Sequence, residues 1–247
     1  MIKFFRHIRQ NLIMKNQTGK YLKYAIGEII LVVIGILIAL QINNWNQHQQ
    51  ELKKEKQIIA SLHLEFNQNK ELVKTRIDAV QNSTDACFQI MEVLLIGETA
   101  TNAKHIDSLL YWAIEYGPFI PNNNTYTEII NTGEIELLRN DDIKNALFEY
   151  NRELDNNSTT YKMLEKWIEE GILPYLANNI AIRNIDIYGF IGWEQSSRFN
   201  PGFDKLIDDR KFENVIDNNV YHLTRLKAEY LNLERITDII IKETSKQ

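Results

Sequence analysis

The feature that most constrains the fold of this chain is an unbroken apolar run near its front. Residues 29–40 read IILVVIGILIAL and hold no polar side chain. Extended to residues 24–42, the stretch has 19 residues. A helix of that length spans roughly 28 Å at about 1.5 Å per residue, close to the ~30 Å hydrocarbon core of a bilayer. We therefore predict one transmembrane helix over residues 24–42.

The energetics of insertion favour the membrane. Twelve Ile, Leu and Val side chains lie in residues 26–42, and together they contribute about −4 to −7 kcal/mol on an insertion scale. Glu28 opposes insertion, but a carboxylate costs only about 3 kcal/mol even at mid-membrane. A helix buried in a soluble core and a cleaved signal peptide stay open as alternatives. No small-x-small cleavage site follows the run, so we favour an uncleaved signal anchor.

The charges on the two sides of the helix predict its orientation. Residues 1–23 carry six Lys or Arg and no acid, whereas three lysines follow the helix closely. By the positive-inside rule, residues 1–23 form a basic cytosolic tail, 24–42 span the membrane and 43–247 form an exported, periplasmic helical domain. Residues 2–13 also suit a short helix on the inner leaflet, although a frayed basic tail fits them equally well.

Charge and cysteine content narrow the classes of partner. The chain has a net charge of −5 and its first 23 residues carry +6, so about −11 remains for residues 24–247. We do not expect so acidic a domain to bind nucleic acid. Cys87 is the single cysteine. No disulfide can form within the chain, and an exported domain must rely on its core.

Beyond the apolar run, the sequence keeps a helical rhythm. Apolar residues recur every seven positions from Leu52 to Leu94, and neither proline nor glycine interrupts residues 43–96. This pattern predicts one long helix that can continue from the membrane span. Asn69 and Ser83 stand at partner positions of the repeat, which favours a bundle helix over a strict two-stranded coiled coil.

Shorter helices and a final long one are expected next. Cap, glycine and proline signals predict helices over 104–116, from Thr125 to Gly133, from Asn140, from Pro174, and over 213–242. The helix from Asn140 either continues to Gly171 or breaks near residues 156–157. Gly117-Pro118 and the asparagines at 122–124 mark a loop. Thr125 and Glu128 read as a capping box. No strand pattern is present. The predicted fold is all-α: an N-terminal transmembrane helix, a long helix and an α-helical, bundle-like soluble domain.

Two stretches of the chain resemble a known family. They are YLKYAIGE at 21–28 with the apolar run after it, and TYTE at 125–128 with TG at 132–133 and LRN at 138–140. The family consists of uncharacterised proteins abundant in flavobacteria and their relatives, and the likeness extends over nearly the whole chain. It implies a single-pass protein of a Gram-negative inner membrane with a periplasmic helical domain. It implies no activity.

Three residues of the apolar helix form a candidate packing face. Gly35 and Ala39 are a small-xxx-small pair, and Glu28 stands seven residues before Gly35, so all three project to nearly the same side. Such a face predicts contact with a second copy of the chain or with another membrane protein. Alternatively, Glu28 only reaches the lipid headgroups.

Two places in the soluble part are candidate surfaces for a ligand or partner. Tyr126, Glu128, Arg139 and Asn140 combine polar side chains with a tight turn in one short span. Capping and turn geometry is the alternative explanation for them. The loop over residues 188–203 carries aromatic residues among glycines. It binds a partner, touches the membrane or simply covers the helical core.

No pattern of metal, nucleotide or nucleophilic chemistry stands out. The five histidines are scattered, and HExxH, GxSxG and phosphate-binding glycine loops are absent. Cys87 lies on the apolar seam, which predicts a packed thiol. Asp204, Asp208 and Asp209 indicate a solvated helix start rather than a cation site. We therefore expect neither an enzyme nor a cofactor or metal site.

Three functional hypotheses remain. The favoured one is a membrane-tethered binding or scaffolding module in the periplasm. The second is a sensor that signals through a membrane partner, since a 23-residue tail is too short for an ordinary output domain. The third is an enzyme without a recognisable motif. The expected partners are the lipid bilayer and, through the transmembrane helix, a second copy or another membrane protein.

Overall fold

The computed structural model describes residues 18–96, 103–199 and 203–246. Within these ranges the chain is all-α, as predicted, and contains no strand. The elements in chain order are α1 Thr18–Ile96, α2 Ala103–Ala113, α3 Asn124–Thr132, a 3-10 turn Glu134–Leu137, α4 Asp141–Trp167, a π-helical turn Ile168–Ile172, α5 Leu173–Asn179, α6 Ile182–Asp186, α7 Asp204–Ile207 and α8 Arg210–Thr244. Internal contacts divide the chain into two compact units, Met1–Lys56 and Gln57–Gln247.

In the first unit, α1 carries the apolar run with its side chains exposed. The large apolar residues from Ile29 to Leu40 expose between 47% and 66% of their surface. Among the described residues, α1 is the one helix long and apolar enough to cross a membrane, and its length and composition suit a signal sequence as well. A contiguous apolar surface of this size indicates contact with lipid or protein. The predicted surface helix over 2–13 lies outside the described residues.

The uninterrupted helix predicted over residues 43–96 is confirmed, because α1 extends to Ile96 without a break. In the second unit, one set of its buried residues recurs in steps of three and four, apart from a step of seven between Val73 and Val80. They are Ile59, Leu62, Phe66, Asn69, Val73, Val80, Ser83, Cys87 and Ile90. This spacing forms a straight seam along the helix, as in helices that pack lengthwise against others.

Helix α8 carries the same repeat and buries it in the same way. Its seam consists of Phe212, Ile216, Asn219, Leu223, Leu226, Tyr230, Leu233, Thr237, Ile240 and Thr244. The helix begins earlier than predicted because Asp209 caps it, with Oδ1 accepting a hydrogen bond from the backbone N–H of Lys211 at 2.8 Å. Because this seam runs straight along α8, the helix lies lengthwise against α1.

Helix α8 runs antiparallel to α1. Lys70 near one end of the contact forms an ion pair of 2.6 Å with Asp238, whereas Cys87 further along α1 lies 3.5 Å from Nδ2 of Asn219. Residue numbers therefore rise along α1 as they fall along α8. Packing along two matched seams buries both helices over several turns.

Helix α4 also runs antiparallel to α8 and therefore parallel to α1. Arg235 pairs with Glu149 at 2.6 Å, and Thr160 donates a hydrogen bond to Glu229 at 2.6 Å. The three long helices α1, α4 and α8 form the bundle that was expected for the soluble part. Its core contains the apolar members of their seams, together with residues of the shorter helices such as Leu110 of α2, Ile129 of α3 and Leu176 of α5.

Local signals place most helix ends correctly. Gly133 ends α3 in the left-handed conformation at φ 74°, and Asn140 caps α4 through its side chain, both as predicted. Helix α4 continues to Trp167 and then widens into the π turn, which contains Gly171. Pro174 lies in the first turn of α5, as predicted.

Helix α2 ends at Ala113, three residues before the predicted end. From Ile114 to Asn123 the chain forms no regular helix or strand. Glu115 and Asn122 are bonded to Ser83 and Asn69, which lie roughly 21 Å apart along α1 at about 1.5 Å per residue, so the chain between them is nearly extended. Residues 114–123 are called the strap from here on. Because the strap has no regular internal hydrogen bonding, its peptide groups must find partners elsewhere.

Candidate functional site

The strap lies along α1, and side chains of the α1 seam bind its main chain. Asn69 forms a reciprocal pair with the backbone of Asn122: Nδ2 donates to the carbonyl oxygen and Oδ1 accepts from the N–H, each at 2.8 Å. Ser83 donates from Oγ to the carbonyl oxygen of Glu115 at 2.9 Å. The polar residues that interrupt the apolar repeat therefore bind peptide groups.

Two more side chains hold the chain at the ends of the strap. Asn219 of α8 donates from Nδ2 to the carbonyl oxygen of Ala113 at 2.7 Å. Glu65 of α1 accepts from the backbone N–H groups of Thr125 and Tyr126 at 2.7 and 3.3 Å. All four side chains belong to residues no more than 4% exposed. They are called the anchors below: Glu65, Asn69, Ser83 and Asn219.

The predicted capping box of Thr125 and Glu128 is wrong. Helix α3 begins one residue earlier, and its N-cap residue, Asn123, makes no side-chain capping bond. The acceptor comes instead from Glu65, 60 positions earlier in the chain. A carboxylate at a helix N-terminus satisfies free N–H groups and interacts favourably with the helix dipole, so no local cap is needed.

Aromatic rings line the groove beneath the strap. Phe119 of the strap packs edge-on against Tyr230 of α8, with ring centroids 6.0 Å apart, and Phe66 of α1 does the same with Tyr150 of α4 at 4.8 Å. Both tyrosines are fully buried, and their hydroxyls face polar side chains, that of Tyr150 towards Asn69 and that of Tyr230 towards Asn157. Burial raises the pKa of both hydroxyls, that of Tyr230 to about 12, so they stay protonated at neutral pH.

A glycine lets the strap pass close to α1. A Cβ built on Gly117 would lie 2.5 Å from Nη1 of Arg76, so a larger residue would push the guanidinium away. The neighbouring Tyr116 donates from its hydroxyl to Oε1 of Glu169 at 2.7 Å. The position of the middle of the strap is therefore fixed by the close approach of Gly117 to Arg76 and by the hydrogen bond from Tyr116 to Glu169 in the π turn.

Of the predicted partner surface, one residue is a core residue. Tyr126 is 8% exposed, so its side chain offers a partner little surface. Its burial follows from Glu65, which holds the backbone of Tyr126 against α1. Glu128 and Arg139 are exposed, and Asn140 is the half-buried cap of α4. A partner role for Glu128, Arg139 and Asn140 remains a prediction.

The candidate packing face of the first unit lies on one side of α1. Glu28, Gly35 and Ala39 belong to the same unbroken helix, and their spacing of seven and four residues aligns them. Glu28 also lines a shallow groove of about 390 Å³ with Tyr24 and Leu31. A Cβ built on Gly35 would meet nothing within 4 Å. The face is sterically open to a neighbouring helix.

A polar cleft of about 380 Å³ adjoins the π turn, and its signal in the sequence was only Gly171 and Pro174. Tyr175 donates to Oδ2 of Asp209 at 2.5 Å, and Lys211 Nζ lies 5.3 Å from the Tyr175 ring centroid. The Tyr175 hydroxyl bond lowers the pKa of Asp209. π turns recur at functional sites, and this cleft suits a small polar ligand.

The aromatic loop presents its rings to solvent. Phe190 is fully exposed, and Trp193 and Phe199 expose 44% and 66% of their surface. The guanidinium of Arg183 lies 4.5 Å above the Trp193 ring, and that of Arg198 lies 4.9 Å above the Phe199 ring. These three rings do not cover the core, so the lid interpretation is wrong for them. A partner-binding or membrane-binding role stays a prediction.

The other potentially reactive side chains that the sequence singled out, Cys87 and Asp209, have structural roles. Cys87 is fully buried, as predicted, and burial raises the pKa of its thiol to about 11. Asp209 is the cap of α8, which agrees with the predicted helix start. Over the described residues, no three His, Cys, Asp or Glu side chains lie close enough to hold a metal ion.

Fold and site define an all-α protein with one exposed apolar helix and a helical bundle whose buried polar seam holds an extended strap. The chain belongs to a family of unknown function, DUF6090, which matches residues 28–164. The match begins at Glu28 and includes the TYTE, TG and LRN stretch, so the resemblance holds at the level of a family of unknown function. Neither a curated protein nor a solved structure matches the chain.

Proposed function

We propose that this protein is a binding or scaffolding module anchored in the inner membrane of a Gram-negative bacterium, of the flavobacterial type that the sequence resembles. Residues 24–42 are the single span, the N-terminus is cytosolic, and the helical domain is periplasmic. The protein acts by holding another envelope protein rather than by catalysis.

One observation carries the proposal. The large apolar residues of α1 between Ile29 and Leu40 are all exposed, whereas the second unit buries its own apolar seams. A chain that packs one part so completely would not leave a 12-residue apolar run in water. Lipid is the environment that suits an exposed apolar helix of this length.

Membrane attachment is tested by alkaline carbonate extraction of the full chain. We expect the parent in the pellet, whereas Ile34→Lys with Leu37→Lys should shift it to the supernatant. Two lysines near the helix centre cost about 5–7 kcal/mol, enough to cancel the apolar gain. The control is Gln47→Lys with Gln49→Lys, beyond the apolar run. Release of the parent by carbonate would sink the proposal.

Orientation is tested by reporters fused after residue 247. A reporter that is active only in the periplasm should give signal, and one active only in the cytosol should not. The opposite pattern would refute the exported domain. A variant in which the six basic residues of the tail become Gln should lose the strong preference for a cytosolic N-terminus, because those charges set the orientation.

The Glu28, Gly35 and Ala39 face is proposed as the contact with a second copy or another membrane protein. Gly35→Leu fills the notch and should abolish cross-linked oligomers in the membrane, as should Glu28→Leu. Val33→Leu adds similar bulk on the other side of α1 and serves as the control. Unchanged cross-linking in both Gly35→Leu and Glu28→Leu would show that the face makes no contact.

Cross-linking in intact cells followed by purification of the full chain separates scaffolding from signalling. A soluble or envelope protein held by the helical domain supports the scaffolding proposal. A membrane protein captured only through α1 would favour a sensor component instead.

A further inference from the structure

We propose that the strap is a releasable cover, and that the groove beneath it is a binding site for an extended polypeptide segment of a partner. In the structure the chain fills this groove with its own residues 114–123. The inference concerns the helical domain alone and stands whether or not α1 crosses a membrane.

The anchors recognise main chain rather than side chains. Asn69 binds both the N–H and the carbonyl oxygen of Asn122, as a neighbouring β-strand would. Ser83 and Asn219 bind carbonyl oxygens, and Glu65 binds N–H groups. Main-chain recognition of an extended segment is the mode by which proteins accept peptides of varied sequence. The Tyr230 ring adds a place for an aromatic side chain, now taken by Phe119.

Between its ends the strap is held by side chains and not by backbone bonds. The contacts there are the hydrogen bond from Tyr116 to Glu169 and the packing of Phe119 on Tyr230. Among the described residues, no backbone–backbone hydrogen bond joins residues 116–121 to the helices. Pro118 and Pro121 have no N–H to donate, and Ile120 exposes 75% of its surface. A segment with so few backbone bonds opens at a lower free energy than the core around it.

One polar atom of the strap is unsatisfied while the strap is closed. Oδ1 of Asn123 is buried and has no hydrogen-bond partner among the described residues. Opening would hydrate this oxygen and remove its burial penalty, which favours release.

Release is tested by hydrogen exchange at residue resolution on the full chain in detergent micelles. Ser83→Ala removes the anchor at one end, and the Asn122 amide, held by Asn69, reports the other end. We expect that amide to exchange at least tenfold faster, with α4 and α8 unchanged. Thr75→Ala is the control because its hydroxyl bonds only to Glu71 within α1. An unchanged Asn122 amide, or one that exchanges together with α4 and α8, would overturn release.

Binding is tested with a fluorescent peptide of residues 117–126, GPFIPNNNTY. This peptide does not reach Ser83, so Ser83→Ala weakens only the competing strap. We expect about tenfold tighter binding to the full chain carrying Ser83→Ala than to the parent. A peptide with Asn122→Pro lacks the N–H that Asn69 accepts and should bind at least tenfold more weakly. No binding to the Ser83→Ala chain, or equal binding of both peptides, would overturn the groove as a peptide site.

Discussion

At the scale of single residues, the buried polar side chains explain most of what is unusual in this protein. An amide in a core is costly unless its donor and acceptor are both used. Asn69 uses both on the backbone of one residue, Asn122, and Ser83 uses its hydroxyl on the carbonyl oxygen of Glu115. The sequence revealed both residues as interruptions of an apolar repeat. It could not reveal what they bind, because the partner of Asn69 is 53 positions away.

Asp107 is a carboxyl group whose burial costs free energy at neutral pH. Burial raises its pKa from 3.8 to about 6. Folding therefore favours the protonated carboxyl more than the unfolded chain does. The contribution of this group to stability is fully present below about pH 4 and is lost as the pH rises through the folded pKa of about 6. Asp107→Asn should raise stability above pH 6 by about 1–2 kcal/mol, after discounting for partial exposure, and by little at pH 4.

The measurement is the thermal unfolding of the full chain in detergent across this pH range, with the difference between variant and parent as readout. Asp217→Asn replaces an exposed carboxylate on α8 and is the matched control. A difference for Asp107→Asn that does not grow between pH 4 and pH 7 would contradict the role of its burial.

Cys87 should be inert in the folded chain. With its thiol pKa raised to about 11 by burial, only about 0.1% is thiolate at pH 8. We expect no reaction with a maleimide at pH 8 until denaturant is added. Asn82→Cys in a Cys87→Ala background places a thiol on the exposed side of α1 and should react at once. Prompt labelling of native Cys87 would refute its packing.

At the scale of elements, periodic helices were predictable and their ends less so. The repeats of α1 and α8 follow directly from apolar spacing, since burial of one face stabilises a long helix. Gly133 and Asn140 act locally and were assigned correctly. The start of α3 was not, because Glu65 supplies its acceptor through the tertiary fold. The loop signals at Gly117-Pro118 and residues 122–124 predicted a connection at the strap. Its position along α1 was not predictable, because Asn69 and Ser83 bind it through the tertiary fold.

The π turn depends on Gly171. A Cβ there would lie 2.9 Å from Cε3 of Trp167, whose ring also packs near His222 with centroids 6.2 Å apart. Alanine gains about 1 kcal/mol as a helix former, but displacing a packed ring costs about 1–3 kcal/mol. Gly171→Ala should therefore lower Tm by about 2–4 °C for a net loss near 1 kcal/mol.

Differential scanning fluorimetry of the full chain measures this change. Glu170→Ala, one residue earlier and exposed, should stay within about 0.5 kcal/mol of the parent and is the control. An unchanged or raised Tm for Gly171→Ala would show that the Trp167 ring yields freely.

At the scale of the whole molecule, the two units differ in how much of their apolar surface they expose to solvent. The first exposes its apolar side chains, and the second encloses a continuous core. Fold class and the exposed helix were accessible from composition and spacing. The groove beneath the strap could not be predicted from the sequence, because it forms only where α1, α4 and α8 lie side by side.

The second unit should fold without the first. Residues 57–247 contain the whole buried core, so we expect a soluble, helical fragment with one cooperative thermal transition. Circular dichroism and sedimentation are the measurements. Leu226→Ala in the α8 seam should cost about 2–5 kcal/mol in the same fragment. Aggregation of the fragment, or a gradual transition without cooperativity, would contradict an independent core.

The reciprocal pairing of Asn69 with Asn122 has a consequence for how this family can vary. Exposed connections between helices usually tolerate insertions and deletions. Here Ser83 and Asn69 lie at a fixed separation on one helix and bind the backbone of Glu115 and Asn122, so the chain between these two residues must have a fixed reach. Relatives that keep both side chains should therefore preserve the number of residues between these two positions, and vary most at the exposed Pro118 and Ile120.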